Sequence, residues 1–188
     1  MISRPPPRPA RYGDLLALPE HLVGEIIDGE LLTHPRLSPR HARASSSLGI
    51  KVGGPFDQGE GGGLGGWWIL DEPELHLGPE ILAPDLAGWR RERLPRLPET
   101  AWIALPPDWV CGVLSPATAR VDRMRQLPCY ALHGVGYCWL VDPVARTLEA
   151  FQRIGEHWLL QASFVDEAEV SVEPFAAVAF PLAALWVD

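Results

Sequence analysis

The chain has 188 residues, 47% hydrophobic and 21% charged, enough apolar material for one core and too much for a disordered chain. Its formal net charge is −8, opposite in sign to that of a protein that grips nucleic acid by overall charge. No run approaches the roughly 20 apolar residues of a membrane span, and the Pro- and Arg-rich start lacks the apolar stretch of a secretory signal, so a cytoplasmic location is expected by default.

Residues 1–12 read as a loose arm and 13–188 as a single domain. Asp14 is placed to cap a short helix through Leu15, Leu16 and Leu18, stopped near Pro19. HLVGEIIDGELL then sets two apolar runs around Asp28-Gly29, the pair favoured in a two-residue hairpin turn. Ser38-Pro39 has the form of an N-cap followed by proline at the first helical position, which predicts a helix over residues 39–52. Ala42, Ser45, Ser46 and Gly49 give that helix a small-residue face able to approach a sheet. The glycine-dense stretch 53–66 reads as a flexible loop and lacks the spacing of a phosphate cradle.

Strands are expected at 67–70, 73–77 and 85–89. RRERLPRLPET is a polar connection. Residues 109–114 form a continuous apolar run, as in a strand buried on both faces. Ser115-Pro116 again resembles a helix start, with Asp122 and Gln126 one turn apart on one face. Pro128 should force a kink or a restart, and Gly134 an end. Residues 136–141 form another buried strand, 147–153 and 157–162 a hairpin, and the tail alternates short extended runs up to a last turn at 181–185. The order helix, strands, helix, strands predicts an α/β (α+β) fold with a central mixed sheet flanked by helices. Cys111, Cys129 and Cys138 are odd in number and have no C-x-x-C spacing, so neither a disulfide framework nor a zinc site is expected. Arginines cluster at Arg36, Arg40 and Arg43, at Arg90, Arg91, Arg93 and Arg96, and at Arg120, Arg123 and Arg125. Lys51 is the single lysine.

Several stretches are more specific. They are EIIDGELL at 25–32, SPRH at 38–41, APDLAGW at 83–89, PPDWVCGVLSPAT at 106–118, and the Asp122/Gln126 pair leading into YALHGVGYCWLVDP. Together, in this order, the chain resembles the Uma-two family of restriction endonucleases, a bacterial branch of the PD-(D/E)xK nuclease superfamily. The resemblance spans roughly residues 14–150.

What the resemblance implies is a restriction-endonuclease-like core and a Mg²⁺- or Mn²⁺-dependent nuclease site. Asp85 matches the metal-binding aspartate, Glu25 the acidic residue of the N-terminal hairpin, His41 the histidine opening the first long helix, and Asp122 the helix aspartate. Two positions depart. The family carries a glutamate where this chain has Gly112, and a lysine where it has Gln126. Phosphodiester hydrolysis needs a cation to polarise the phosphate and generate hydroxide, and a hard cation takes carboxylate oxygens. Glycine offers only a carbonyl, and glutamine donates hydrogen bonds without positive charge. Glu25 is a second candidate metal ligand beside Asp85, and Asp122 a replacement ligand. Arg123 and Arg125 are off the Asp122/Gln126 face, and Lys51 is about 15 Å along the helix from His41. Impaired or lost catalysis is therefore expected, against the alternative of a non-catalytic DNA- or protein-binding domain that keeps the fold. A homodimer is expected because two-fold symmetry suits cutting both strands of a duplex.

Overall fold

The computed structural model describes residues 8–35 and 38–186. Arg36, Val187 and residues 1–7 of the arm lie outside them. Helix α1 (Tyr12–Leu16) begins before Asp14, whose carboxylate accepts the Arg11 N–H at 2.8 Å from inside the first turn. Asp14 therefore caps from within the helix instead of preceding it. The described part of the arm is tied down. Ala10 N–H donates to the Gly29 carbonyl at 2.8 Å, and Arg8 pairs with Asp14 at 2.7 Å.

The predicted hairpin forms from β1 (Leu22–Ile27) and β2 (Glu30–Pro35). Asp28 and Gly29 both take positive φ, 54° and 72°, the twist a two-residue turn requires. Helix α2 covers Pro39–Val52, and Ser38 Oγ accepts the His41 N–H at 3.4 Å. Its inward stripe is His41, Ala44, Ser45, Leu48 and Val52, whereas Ala42 and Ser46 are exposed. Leu48 and Val52 fix the rotation of the helix, because burying them outweighs the close approach that small residues allow. The glycine-dense stretch corrects a second expectation. Gly53–Gln58 extends α2 as a wide turn ending at Gly59. Phe56 anchors it, with its ring 4.7 Å from that of Phe175.

The central sheet has six strands in the order β11-β10-β9-β8-β6-β3. They are β3 (Trp67–Asp71), β6 (Leu86–Arg90), β8 (Trp109–Val113), β9 (Tyr137–Asp142), β10 (Thr147–Ile154) and β11 (His157–Val165). Only β8 and β9 run parallel within it, so the sheet is mixed, as expected. A second, five-stranded sheet, β2-β1-β5-β4-β7, adds β4 (Glu74–Leu77) and two short strands the sequence did not announce, β5 (Glu80–Leu82) and β7 (Trp102–Ile103). One face of the central sheet packs on α2, Phe175, Phe180 and Leu182. The other packs on the second sheet and on the helical segment after β8. Trp67, Trp89 and Trp109 are buried, as are all three cysteines, which are unpaired.

That helical segment starts less directly than Ser115-Pro116 implied. Ser115 Oγ accepts the Thr118 N–H at 3.2 Å across a turn. Then come α3 (Ala119–Val121), a wide turn (Asp122–Gln126) and α4 (Leu127–Leu132). The wide turn explains why Pro128 does not break the helix. The Leu127 N–H reaches back five residues to the Asp122 carbonyl, so the ladder has already shifted where proline withholds its donor.

Candidate active site

Strand pairing builds the centre of the site. Leu86 of β6 lies opposite Cys111 of β8, so Asp85 and Gly112, one residue beyond that pair, sit side by side at the strand ends. Asp85 is fixed at three points. Its carbonyl accepts the Glu72 N–H at 3.0 Å, its Oδ2 accepts the Val113 N–H at 2.7 Å, and its Oδ1 lies 3.0 Å from His41 Nε2. The last contact has ion-pair distance without hydrogen-bond alignment. Burial pushes the His41 pKa down, but Asp85 and the Val113 main chain outweigh it and leave the imidazole above its ordinary value.

Glu25 projects from β1 into the interior and is 3% exposed. Its Oε1 accepts the Ala83 N–H at 2.9 Å and its Oε2 accepts Gln126 Nε2 at 2.6 Å. Burial raises its pKa to about 7, against the lowering effect of both hydrogen bonds. Asp122 is also buried. Its pKa is raised to about 6, first by burial and further by Asp85, with a hydrogen bond from Thr118 opposing.

His41, Asp85, Gly112, Asp122 and Gln126 share the wall of one cavity of about 440 Å³. Glu25 does not reach that wall and stands behind Gln126. The sequence reading did not anticipate that Asp71, Glu72 and Glu74 also border the cavity, together with His34 and Thr118. The acidic run D-E-P-E at 71–74 was the available signal. Among the described residues, no arginine or lysine contributes to the wall. Arg123 pairs with Glu149, Arg125 with Glu30, Arg91 with Asp57 and Arg93 with Asp108, so much of each later arginine cluster is spent on ion pairs.

A Mg²⁺ or Mn²⁺ ion at this place would need several free oxygens within one coordination sphere. Both oxygens of Asp85 already face donors, Gly112 supplies no side chain, and Glu25 has both oxygens engaged behind the wall. The other carboxylates of the wall are Asp71, Glu72, Glu74 and Asp122. Among the described residues no group of three His, Cys, Asp or Glu side chains is arranged to hold a metal. The residues present do not fit the ion.

A family model described as "putative restriction endonuclease" (Uma2) matches residues 12–184. The chain belongs to this family. Among solved structures, one described as a putative nuclease belonging to DUF820, from Anabaena variabilis ATCC 29413, superposes with a TM-score of 0.73. It is 21% identical, and the match covers 92% of this chain and 95% of that one, a likeness of fold. No curated protein matches. Among the described residues, no helix is long and apolar enough to cross a membrane.

Proposed function

We propose that this chain is a restriction-endonuclease-like domain of the Uma2 family that has lost metal-dependent phosphodiester hydrolysis. One observation carries the reading: Asp85 faces glycine where a second carboxylate would complete a metal site, and both its oxygens are held by the protein itself. Gln126 reinforces it. Its amide is turned onto Glu25 and brings no positive charge toward an attacking water. A wall carrying Asp71, Glu72, Glu74, Asp85 and Asp122, with His34 and His41 and, among the described residues, no arginine or lysine, also repels phosphate unless a cation intervenes.

Incubating supercoiled plasmid with the chain and Mg²⁺ or Mn²⁺ tests the proposal. No cleavage above buffer is expected. Robust cleavage that disappears in Asp85→Ala contradicts it. Binding is separable from cutting. Arg40 and Arg120 are exposed, and fluorescence anisotropy with duplex DNA at two salt concentrations reads whether such residues hold a backbone. A non-catalytic DNA-binding role predicts salt-sensitive affinity, and a protein-binding or oligomerising role predicts none. Homodimer formation, proposed from the two-fold logic of duplex cutting, is read by light scattering.

A further inference from the structure

The two edges of the central sheet are finished differently. On β3 the outward groups are covered by side chains. Asp57 Oδ2 accepts the Ile69 N–H at 3.3 Å, and Arg91 Nε donates to the Trp67 carbonyl at 2.9 Å. The other edge is β11, and among the described residues no strand lies beyond it. Pairing fixes which of its amides are left. The Arg153 N–H turns to the Gly136 carbonyl beside β9, so Gln152 and Ile154 turn to β11 and engage Leu159 and His157. Trp158 and Leu160 then point their main chain away from β10. Past the register shift at Ala150/Phe151, the Asp166 N–H reaches the Arg146 carbonyl, so Ser163 and Val165 point outward as well. Among the described residues, these four N–H groups meet no main-chain acceptor.

Open edges are ordinarily blunted by charge, proline or shortness. β11 has none of these. It runs nine residues, HWLLQASFV, without Asp, Glu, Lys, Arg or Pro, and Leu159, Leu160 and Val165 are exposed along it. The register shift is its one irregularity. In the second sheet the outer strands are protected, because β2 ends in Pro35 and β7 has two residues. The rest of the chain is too short to cover β11. The segments outside the described residues are 1–7, 36–37 and 187–188, and the longest of them ends in three prolines, which cannot donate to a ladder.

We infer that β11 is the seam of a homodimer, pairing antiparallel with β11 of a second copy about a two-fold axis, so that two six-stranded sheets join edge to edge. Three observations select this occupant. Antiparallel pairing of a strand with its own copy is isologous, so each outward N–H that finds a carbonyl does so twice. A chain of net charge −8 meets its copy at least electrostatic cost along a strip free of carboxylates, and the nearest ones, Glu156 and Asp166, lie in the turns past its two ends. Because β3 is covered, addition stops at two copies instead of running into a fibre. Nine residues extend about 30 Å, which with the exposed leucines makes an interface at the small end of the specific range and an association of micromolar strength. This seam gives the proposed homodimer its surface on grounds independent of duplex cutting. Plasmid cleavage by the unmodified chain would defeat the reading of the cavity and leave the seam standing.

Sedimentation velocity over roughly 1–100 μM, where an interface of this size dissociates, tests the seam. A monomer–dimer equilibrium is expected, and it should persist in about 1 M NaCl because no ion pair holds it. Leu160→Lys puts a charge on the seam at a solvent-exposed position and should weaken dimerisation by about tenfold or more. Ser163→Pro removes one outward N–H and should act in the same direction. Ile50→Lys, at an exposed apolar site on α2, should leave the equilibrium unchanged. A short bis-maleimide should trap Gln161→Cys, at the middle of β11, as a covalent dimer and should not trap Ile50→Cys. The native cysteines are all buried and add little background. A monomer throughout the range overturns the seam, as does a dimer that Leu160→Lys leaves intact or that Ile50→Cys traps equally well. Oligomers that keep growing with concentration overturn it too. If circular dichroism shows Ser163→Pro unfolded, Leu160→Lys decides alone, because its side chain faces solvent in the single chain.

Discussion

Asp85 on the wall of the cavity and Glu25 behind it are two carboxylates held differently. Each accepts one backbone N–H, from Val113 and Ala83 respectively. The second oxygen of Asp85 faces the His41 imidazole, whereas that of Glu25 faces the neutral amide of Gln126. A group that can carry charge stands beside the first, and only a dipole beside the second. The consequence is visible in Glu25, where burial wins over two hydrogen bonds and its pKa rises to about 7. A lysine at 126 would have supplied the missing charge. Gln126 thus brings no cation to the cavity and leaves a buried acid that ionises reluctantly.

The largest expected effect erases this contrast. Gly112→Glu combined with Gln126→Lys should raise Mn²⁺ affinity on the order of a hundredfold, as a second carboxylate joins Asp85. Calorimetry that finds no gain breaks the proposed geometry. Next, Asp85→Ala should cost about 3 kcal/mol in chemical denaturation, because it leaves His41 and the Val113 N–H buried without their acceptor. A loss below about 1 kcal/mol would mean the His41 contact contributes little.

The third effect is a pH dependence. The folded chain keeps the Glu25 proton up to about pH 7, while the ordinary value is 4.5. The native state therefore holds more protons than the unfolded one in this window, and stability falls as pH rises from 4.5 through 7, by up to about 3 kcal/mol. Asp122 contributes with the same sign between 3.8 and about 6. The raised His41 pKa acts in the same direction above 6.5. Denaturation across pH 5 to 8 should show this fall, and Glu25→Gln or Gln126→Lys should flatten it. A slope unchanged in Glu25→Gln would assign it to other groups. The smallest effect is at the helix cap, where Ser38→Ala should lower stability by about 1 kcal/mol, read as a melting shift of roughly 2–4 °C.

Local chemistry was the legible part of the sequence. Asp28-Gly29 and Ser38-Pro39 each specify a backbone geometry within four residues, and both appear where they were read. Ser115-Pro116 is the same dipeptide with a different outcome. There the helix is delayed by a turn and then widened to pass Pro128, a compromise set by packing on the sheet. The glycine-dense stretch is a loop over 59–66 as read, but 53–58 differ because Phe56 outweighs the glycines there through a contact with Phe175, far along the chain. β5 and β7 are two or three residues long and draw their definition from partners, so no local period marks them. In the site, the resemblance pointed to Asp85, Gly112 and Gln126, which share one cavity wall. That Glu25 lies behind the wall depends on how three separate elements meet, which composition and spacing do not encode.

On the proposed reading the unmodified chain has no competent metal site at Asp85. Titrating it with Mn²⁺ by isothermal calorimetry at pH 7.5, beside Asp85→Ala, tests this most directly. No stoichiometric binding is expected, with indistinguishable traces for the two proteins. A single saturable site in the unmodified chain that vanishes in Asp85→Ala would contradict it.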